Sequence, residues 1–384
     1  MPSAAEIMSG RPMGHGIRRA LQGVQRFDIA IDIATSLLHR LPPNMAHWAV
    51  LGALRLGLMP PSSEPDDPVL ASLVWGIEFA NPIGLAAGFD KDAEAVDALL
   101  GLDFGFVEFG TVTPLPQPGN PRPNLFRLDA DKALINRLGF NSRGLDFFAA
   151  RLERHRRSGT TLAGVIGANL GRNRDSRDGA ADYAQVVRAT AGLADYLVIN
   201  ISSPNTPGLR GLQQRDRLTD LLGGVLSARD AASAGRKVPL LVKIAPDLTE
   251  DEIGDIARVA DDQGVDGLIV SNTTVARPVE LRDPDRTEEG GLSGPPLFPL
   301  SAAVLGRVRR ATGGRIPLIG CGGVATGADA YAMIRAGASL VQIYTAFVYQ
   351  GPSLVGRIKR DLASRLKADG FSSLKQAVGA DLPC

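Results

Sequence analysis

Lysine, serine and asparagine stand at the ends of short apolar runs in this chain, at places where an ordinary surface loop has no use for them. Lys243 lies inside "LLVKIAP", in the middle of an expected buried strand, where an ammonium is costly unless it is paired. It is read as facing anionic chemistry. Lys91, in "AAGFDKD", has a plainer alternative, a surface ion pair with Asp90 or Asp92. The segment "NISSPNTPGLR" (200–210) follows the apolar run "YLVI" and sets Ser202 and Ser203 ahead of Pro204, with Pro207 after Asn205-Thr206. Proline fixes the backbone, so these hydroxyls and amides are held still; capping the next turn is their simpler use. A serine takes up a proton only where the site stabilises what forms and gives the proton an exit. His155 is the only histidine beyond residue 47, which argues against a Ser-His triad. Carboxylates are scarce at these positions, Asp90 and the more distant Asp247 apart, which argues against two-carboxylate hydrolysis. Cations among amides suit an anion whose rim carries carbonyls and N–H groups.

The elements that must position these residues follow from periodicity. Eight short apolar runs end in small or polar residues: "PIGLAAG" (82–88), "FVEFGTV" (106–112), "AGVIGANL" (163–170), "YLVINIS" (196–202), "PLLVKIA" (239–245), "GLIVSNT" (267–273), "PLIGCGG" (317–323) and "LVQIYTA" (340–346). Helical patterns such as "DAEAVDALLGL", "DYAQVVRATAGL", "TEDEIGDIARVADDQG" and "GADAYAMIRAGA" lie between most of them, with apolar positions three and four apart. This alternation indicates an α/β fold, a (β/α)8 TIM barrel rather than an open doubly wound sheet. Barrel sites lie at the C-terminal ends of the strands. That gathers Lys91, Thr111, Asn169, Asn200 with Ser203 and Asn205, Lys243, Ser271-Asn272-Thr273, Gly322-Gly323 and Tyr344-Thr345 into one site. Gly320-Cys321-Gly322-Gly323, with Tyr344-Thr345, falls where barrels commonly hold a phosphate on backbone N–H groups; a plain tight turn is the alternative. A phosphate there and a lysine on the fifth strand point to a phosphorylated planar cofactor across the barrel mouth, with flavin mononucleotide (FMN) as the candidate.

The chain has 384 residues, 44% of them hydrophobic, enough for one large domain and an appendage. Lys plus Arg (42) nearly cancels Asp plus Glu (41), so no nucleic-acid partner is expected. Cys321 and Cys384 are too few and too far apart for a disulfide framework or a thiolate metal site, so no metal and a reducing compartment are expected. No uninterrupted apolar run is long enough for a spanning helix, and the N-terminus lacks a secretion signal. Residues 1–27 form an extension of unassigned role, arginine-rich and faintly like a mitochondrial presequence. Residues 28–59 read as two helices broken by Pro42-Pro43, the second from Asn44 as N-cap to about Met59 and apolar nearly all round except His47 and Arg55. Such a hairpin suits lying on a membrane surface, or equally packing on the main domain. "PPSSEPDDP" (60–68) has linker composition. The expected division is 1–27, a hairpin over 28–65 and a barrel over 66–384.

Eight motifs in order, "NPIGLAAGFDKD", "EFGTVTPLPQPGNPRPNLFRL", "INRLGFNSRG", "NISSPNTPGLRGLQ", "LVKIAPDL", "SNTT", "GGLSGPPL" and "QIYTAF", resemble the dihydroorotate dehydrogenases, specifically their membrane-associated, quinone-linked class. The resemblance covers about residues 44–360. It implies oxidation of (S)-dihydroorotate to orotate with FMN in de novo pyrimidine biosynthesis, and flavin reoxidation by a quinone, expected to be ubiquinone. Ser203 matches the base that removes the C5 proton, with Thr206 and Phe140 beside it; serine there instead of cysteine, together with the hairpin, points to the quinone-linked class. Lys91, Asn136, Arg137, Leu138, Gly139, Phe140, Asn200, Asn205, Asn272 and Thr273 match the substrate cradle. Ala87, Gly88, Lys91, Thr111, Asn169, Asn200, Lys243, Ser271, Gly294, Gly322, Gly323, Tyr344 and Thr345 match flavin contacts. Lys243 would there stabilise the negative charge that arrives with the hydride. His47 and Arg127 match polar residues lining a quinone tunnel through the hairpin.

The chain departs from the family pattern in its longer first helix, in the extension, and at Ser271 and Cys321, where relatives often carry other small residues. The resemblance also implies a monomer on a membrane surface, at the cytoplasmic face of a bacterial inner membrane or, as the alternative, the mitochondrial inner membrane. Two rival readings stand beside it. A 2-hydroxy-acid oxidase barrel needs a histidine base near the late strands, where this chain has none. A flavin-binding barrel without catalysis would have no use for Ser203, Lys91 and Lys243 together.

Overall fold

Pro42 and Pro43 end one helical segment and begin another. The computed structural model describes Leu38, residues 40–59, Pro61, and residues 65–159, 164–232, 235 and 237–382. The extension and nearly all of the first hairpin helix therefore lie outside the described residues. Helix α1 spans Pro43–Arg55. Its N-cap is Pro42, not Asn44, because Pro43 takes the first helical position, where its missing N–H costs nothing. The helix also stops at Arg55, short of the expected Met59, with Gly57 in the left-handed region behind it.

In chain order there follow β1 (Ser72–Val74), β2 (Ile77–Phe79), β3 (Ile83–Leu85), α2 (Val96–Leu100), β4 (Phe106–Val112), β5 (Leu125–Leu128), β6 (Ala133–Asn136) and α3 (Leu145–Arg157). The middle of the chain supplies β7 (Val165–Leu170), α4 (Gly179–Thr190), β8 (Tyr196–Asn200), α5 (Arg215–Ala232), β9 (Leu240–Ile244) and α6 (Glu250–Gln263). The last third supplies β10 (Gly267–Val270), β11 (Gly291–Ser293), α7 (Phe298–Ala311), β12 (Leu318–Cys321), α8 (Gly327–Arg335), β13 (Ala338–Ile343), α9 (Thr345–Gln350), α10 (Ser353–Ala368) and α11 (Leu374–Ala377).

Strands β3, β4, β7, β8, β9, β10, β12 and β13 close into one barrel, every neighbouring pair parallel and β13 returning to β3. These are the eight apolar runs of the sequence. They read as continuous hydrophobic stretches because both faces are covered: every residue of β4, β8 and β9 is buried. The interior is filled by pairing small with large. A methyl group on Gly84 would fall 2.3 Å from the Phe106 ring, and one on Gly167 would fall 2.2 Å from the Tyr196 ring. Capping boxes at Thr249/Glu252 and Thr326/Asp329 begin α6 and α8 where the sequence places them.

Two features attach to this barrel. At the end where the strands begin, β1 and β2 form a hairpin whose two turn residues, Trp75 (φ 54°) and Gly76 (φ 74°), both lie in the left-handed region that a tight primed turn needs. Trp75 packs on Tyr196 at 5.9 Å and donates its indole N–H to the Asp266 carbonyl at 2.6 Å, so the hairpin plugs this end. At the other end, β5 and β6, inserted after β4, join β11, inserted after β10, in an antiparallel sheet ordered β11-β6-β5. Gly291 pairs with Asn136 across it. This roof was not legible in the sequence, because its strands are three or four residues long and too short to show alternation. The segment of linker composition is held down as well: Lys359, itself buried, pairs with Asp66 at 2.7 Å, and Lys367 pairs with Asp67.

Candidate active site

Between the barrel's C-terminal rim and the roof lies a cleft of about 1100 Å³ including its open mouth, at the top of the range for ligand pockets (roughly 300–1,000 Å³). Its lining takes in Ala87, Gly88, Lys91, Thr111, Asn200, Ser203, Asn205, Lys243, Ser271, Asn272, Thr273, Gly322, Gly323, Tyr344 and Thr345 from the strand ends and the loops that follow them. Asn136, Leu138, Gly139, Phe140 and Gly294 join from the roof and its connections. Among the residues singled out from sequence, Asn169, Thr206, Arg137, His47 and Arg127 do not line it. Asn169 lies one layer beneath, and Thr206 is buried behind the Ser203 loop. Arg137 turns its guanidinium outward to Glu288 at 2.7 Å and over the Phe126 ring at 4.5 Å.

The floor is a hydrogen-bonded amide layer. Thr111 Oγ1 donates to Asn169 Oδ1 at 2.5 Å, and Asn200 Nδ2 donates to both, each at 3.1 Å. Above it, Asn272 Nδ2 donates to Ser202 Oγ at 3.0 Å, and Ser202 Oγ donates to Asn200 Oδ1 at 3.2 Å. Lys243 rises from β9 into this floor, only 5% exposed, and has no hydrogen-bond acceptor or carboxylate partner among the described residues. A buried ammonium left this way is stable only with an anionic or carbonyl-bearing occupant above it. Beside it, burial pushes the Cys321 thiol up while the Lys243 charge pulls it down.

One wall carries the Ser203 loop. Ser203 is 7% exposed, and its Oγ accepts from the Asn205 N–H at 3.3 Å. Asn205 Nδ2 reaches the roof, donating to the Asn136 carbonyl at 3.0 Å, and Asn120 Nδ2 donates to the Asn205 carbonyl at 3.3 Å. Arg210 staples the loop from behind, donating to the carbonyls of Ser202 (3.1 Å) and Thr273 (3.0 Å) while pairing with Asp247 at 2.8 Å. Thr206 Oγ1 is buried with no partner among the described residues.

At the opposite side Lys91 donates to Asn141 Oδ1 at 2.5 Å. Burial pulls its ammonium down to about 8 against an opposing pull from Asp92. The surface ion pair of the plainer reading does not form: Asp90, 2% exposed, accepts instead from the N–H groups of Glu94 and Ala95. A run of rings leads from α1 to the cleft. His47 meets Phe89 edge-on at 5.4 Å, and Phe89 meets Tyr344 at 6.1 Å. Burial first, and then the Lys91 charge, hold His47 down to about 4, so it is neutral near pH 7. Arg127 donates to the Leu41 carbonyl at 3.2 Å and pairs with Asp129 at 3.1 Å, joining β5 to the start of α1.

Whether this cleft suits a phosphorylated flavin is tested by its unused groups. Among the described residues the N–H groups of Gly322, Gly323 and Val324 donate to no protein acceptor. Gly323 (φ 79°) brings its backbone so close to the start of α7 that a methyl group there would fall 2.4 Å from the Phe298 nitrogen. Free N–H groups beside a helix start form a phosphate cradle, and Lys243 with the amide floor suits a ring bearing carbonyls and N–H groups. The residues present fit the group.

Sequence reading missed Gln342 in the cleft lining, Glu108 beneath the floor, and Arg210 and Asn120 behind the wall. Glu108 carried the same signal as Lys243, a charge inside a continuous apolar run, in "FVEFGTV". Arg210 and Asn120 carried none, since Thr273 and Asp247 reach the one, and Asn205 the other, from distant loops.

A family model described as dihydroorotate dehydrogenase matches residues 69–366. A relative from Azorhizobium caulinodans named dihydroorotate dehydrogenase (quinone) is 56% identical over 342 residues, covering 88% of this chain and 96% of the relative. A Mus musculus protein named dihydroorotate dehydrogenase (quinone), mitochondrial, is 51% identical over 349 residues, covering 90% and 88%. Among solved structures, Eimeria tenella DHODH in complex with ferulenol superposes with a TM-score of 0.87 at 43% identity, over 91% of this chain and 99% of that one.

Proposed function

The chain belongs to the dihydroorotate dehydrogenase family and oxidises dihydroorotate to orotate, a step of pyrimidine biosynthesis, with a quinone as acceptor; from that premise we propose how its residues divide the work and that its flavin is FMN. The observation that carries this reading is the Lys243 ammonium, without a partner among the described residues, on the floor of a cleft whose rim offers N–H groups of Gly322 and Gly323 that no described acceptor takes up. FMN, held by those amides, Lys243 and the floor, supplies the hydride acceptor for C6 of dihydroorotate.

Lys91 holds the substrate's carboxylate, which restores the partner its burial denies it. Asn136, Asn205, Asn272 and Thr273 meet the pyrimidine rim with donors and acceptors fixed by the bonds described above. Ser203 Oγ takes the C5 proton. Its loop is rigid between Pro204 and Pro207 and stapled by Arg210, so the hydroxyl need not search for its geometry. Thr206 Oγ1, buried and without a partner among the described residues, takes the proton onward, and Phe140, which lines the same cleft, keeps water from it. Lys243 sets a fixed positive charge where negative charge develops.

The quinone reaches this centre past α1, along the His47, Phe89 and Tyr344 rings. Ubiquinone is the expected species. Met45, Trp48, Leu56 and Leu58 of α1 and the residues behind it are 56 to 76% exposed, an apolar surface suited to resting on a membrane. No described helix is long and apolar enough to cross one. One chain completes the cleft, and the working unit is read as a monomer. We place it at the cytoplasmic face of a bacterial inner membrane, with the mitochondrial inner membrane as the alternative.

The test is anaerobic bleaching of the bound flavin by dihydroorotate, followed by mixing with a ubiquinone analogue in one vessel and fumarate or NAD in others. Recovery of the yellow colour with the quinone alone is expected. Recovery with all three alike would remove the role given to α1.

A further inference from the structure

The cleft floor rests on a group with no counter-charge. Glu108 of β4 points into the barrel, 1% exposed, with no cationic partner among the described residues. Its oxygens accept from Asn169 Nδ2 at 2.6 Å, from Gln342 Nε2 at 2.6 Å and from the Tyr196 hydroxyl at 3.3 Å. Neither Glu108 nor Asn169 lines the cleft, while Thr111 and Gln342 do.

A carboxylate only accepts, whereas a side-chain amide donates from one side and accepts from the other. With its Nδ2 committed to Glu108, Asn169 must turn Oδ1 toward Thr111 and Asn200, and both donate to it. Thr111 thereby directs its only proton downward and, with one lone pair taken by Asn200 Nδ2, keeps the other for what lies above. With its Nε2 committed to the other oxygen of Glu108, Gln342 is left with a buried Oε1 that has no partner among the described residues. We propose that Glu108 is a positioning residue that sets the hydrogen-bond polarity of the floor, so that Thr111 and Gln342 face the cleft as acceptors and select a ring with N–H donors. This rests on the reading of the cleft as a flavin site.

Reversing one link separates polarity from packing. Glu108→Gln keeps the shape but accepts on one side only, so either Asn169 or Gln342 must invert. Asn169→Asp alone sets two carboxylates face to face. In the double variant the new amide at position 108 donates to the new carboxylate at position 169 and accepts from Gln342. The bonds from Thr111, Asn200 and Gln342 then run as in the wild type, with the charge moved one residue along.

The measurement is the FMN dissociation constant, from fluorescence of flavin released on diluting the holoenzyme, alongside thermal unfolding. Glu108→Gln is expected to weaken binding about tenfold, the effect of one misdirected buried hydrogen bond. Asn169→Asp should be worse, and the double variant should return to about threefold of wild type. Wild-type affinity in Glu108→Gln overturns the proposal, as does a double variant no better than its parents, including the case where none of the three folds. Wild-type protein that retains no FMN would instead refute the reading of the cleft itself, and this inference with it.

Discussion

Lys91 gives a prediction in which stability and function move in opposite directions. Burial lowers its ammonium from 10.5 to about 8, with Asp92 pulling the other way. That difference corresponds to about 3 kcal/mol held against the folded, substrate-free protein. A folded-state value below the unfolded one means that the cost is in full force below pH 8 and fades as pH rises toward 10.5. Lys91→Met removes the charge and keeps the stem, at the loss of the Asn141 bond, about 1 kcal/mol. The net expectation is a substrate-free protein more stable by about 2 kcal/mol at pH 7, a melting temperature some ~4 °C higher, and no bleaching by dihydroorotate. Melts of both proteins from pH 7 to 10 check this, because the wild type should close the gap as pH rises. His47 should also titrate at higher pH in the variant, since the Lys91 charge is one cause of its depression. In the wild type, orotate affinity should fall about fivefold from pH 8 to 9, as the ammonium loses its proton. A Lys91→Met protein that melts below wild type at pH 7 would refute the reasoning, because the ammonium would then be a stabilising partner and not a strained one.

Three other substitutions probe separate parts. Ser203→Ala should keep its flavin yet bleach with dihydroorotate about 10²- to 10⁴-fold more slowly; bleaching at the wild-type rate would remove Ser203 as the base. Gly323→Ala places a methyl group 2.4 Å from the Phe298 nitrogen at a φ of 79°, so the purified protein should emerge from gel filtration largely colourless, and full flavin loading would contradict the phosphate cradle. Trp48→Gln, at a side chain 62% exposed on α1, should weaken sedimentation with phospholipid vesicles several-fold and raise the KM for a long-chain quinone, with anaerobic bleaching untouched; undiminished vesicle binding would place the membrane contact elsewhere.

The barrel is readable because eight strands buried on both faces leave eight continuous apolar runs, and a lysine or asparagine near the end of such a run points to the mouth, as Lys243 and Asn200 do, or to the layer just beneath it, as Asn169 does. Lys243, Asn200 and Gly323 stand out in this way and line the cleft together. The same signal marks Glu108, but a carboxylate in the second of eight strands has no meaning until Asn169 and Gln342, 61 and 234 residues away, are brought to it. The roof is illegible for a related reason. Its three strands are stabilised by each other across sequence gaps, and no local pattern in "LFRL" or "GLS" records that. At α1 the second proline takes the helix start because local geometry outranks a side-chain cap at the next residue.

The roof also bears on how such an enzyme can change over generations. Its strands arrive as two insertions, one after β4 and one after β10, joined to each other along β6 and β11. The barrel beneath carries Lys243, the amide floor and the glycine rim, and the roof lines the cleft with Leu125, Leu134 and Asn136. Mutations in the two insertions can therefore drift toward a different ring or a different entry path while the cofactor's seat stays under its own separate constraint. The price is that the insertions must drift as a pair, since a register slip in one unzips the other.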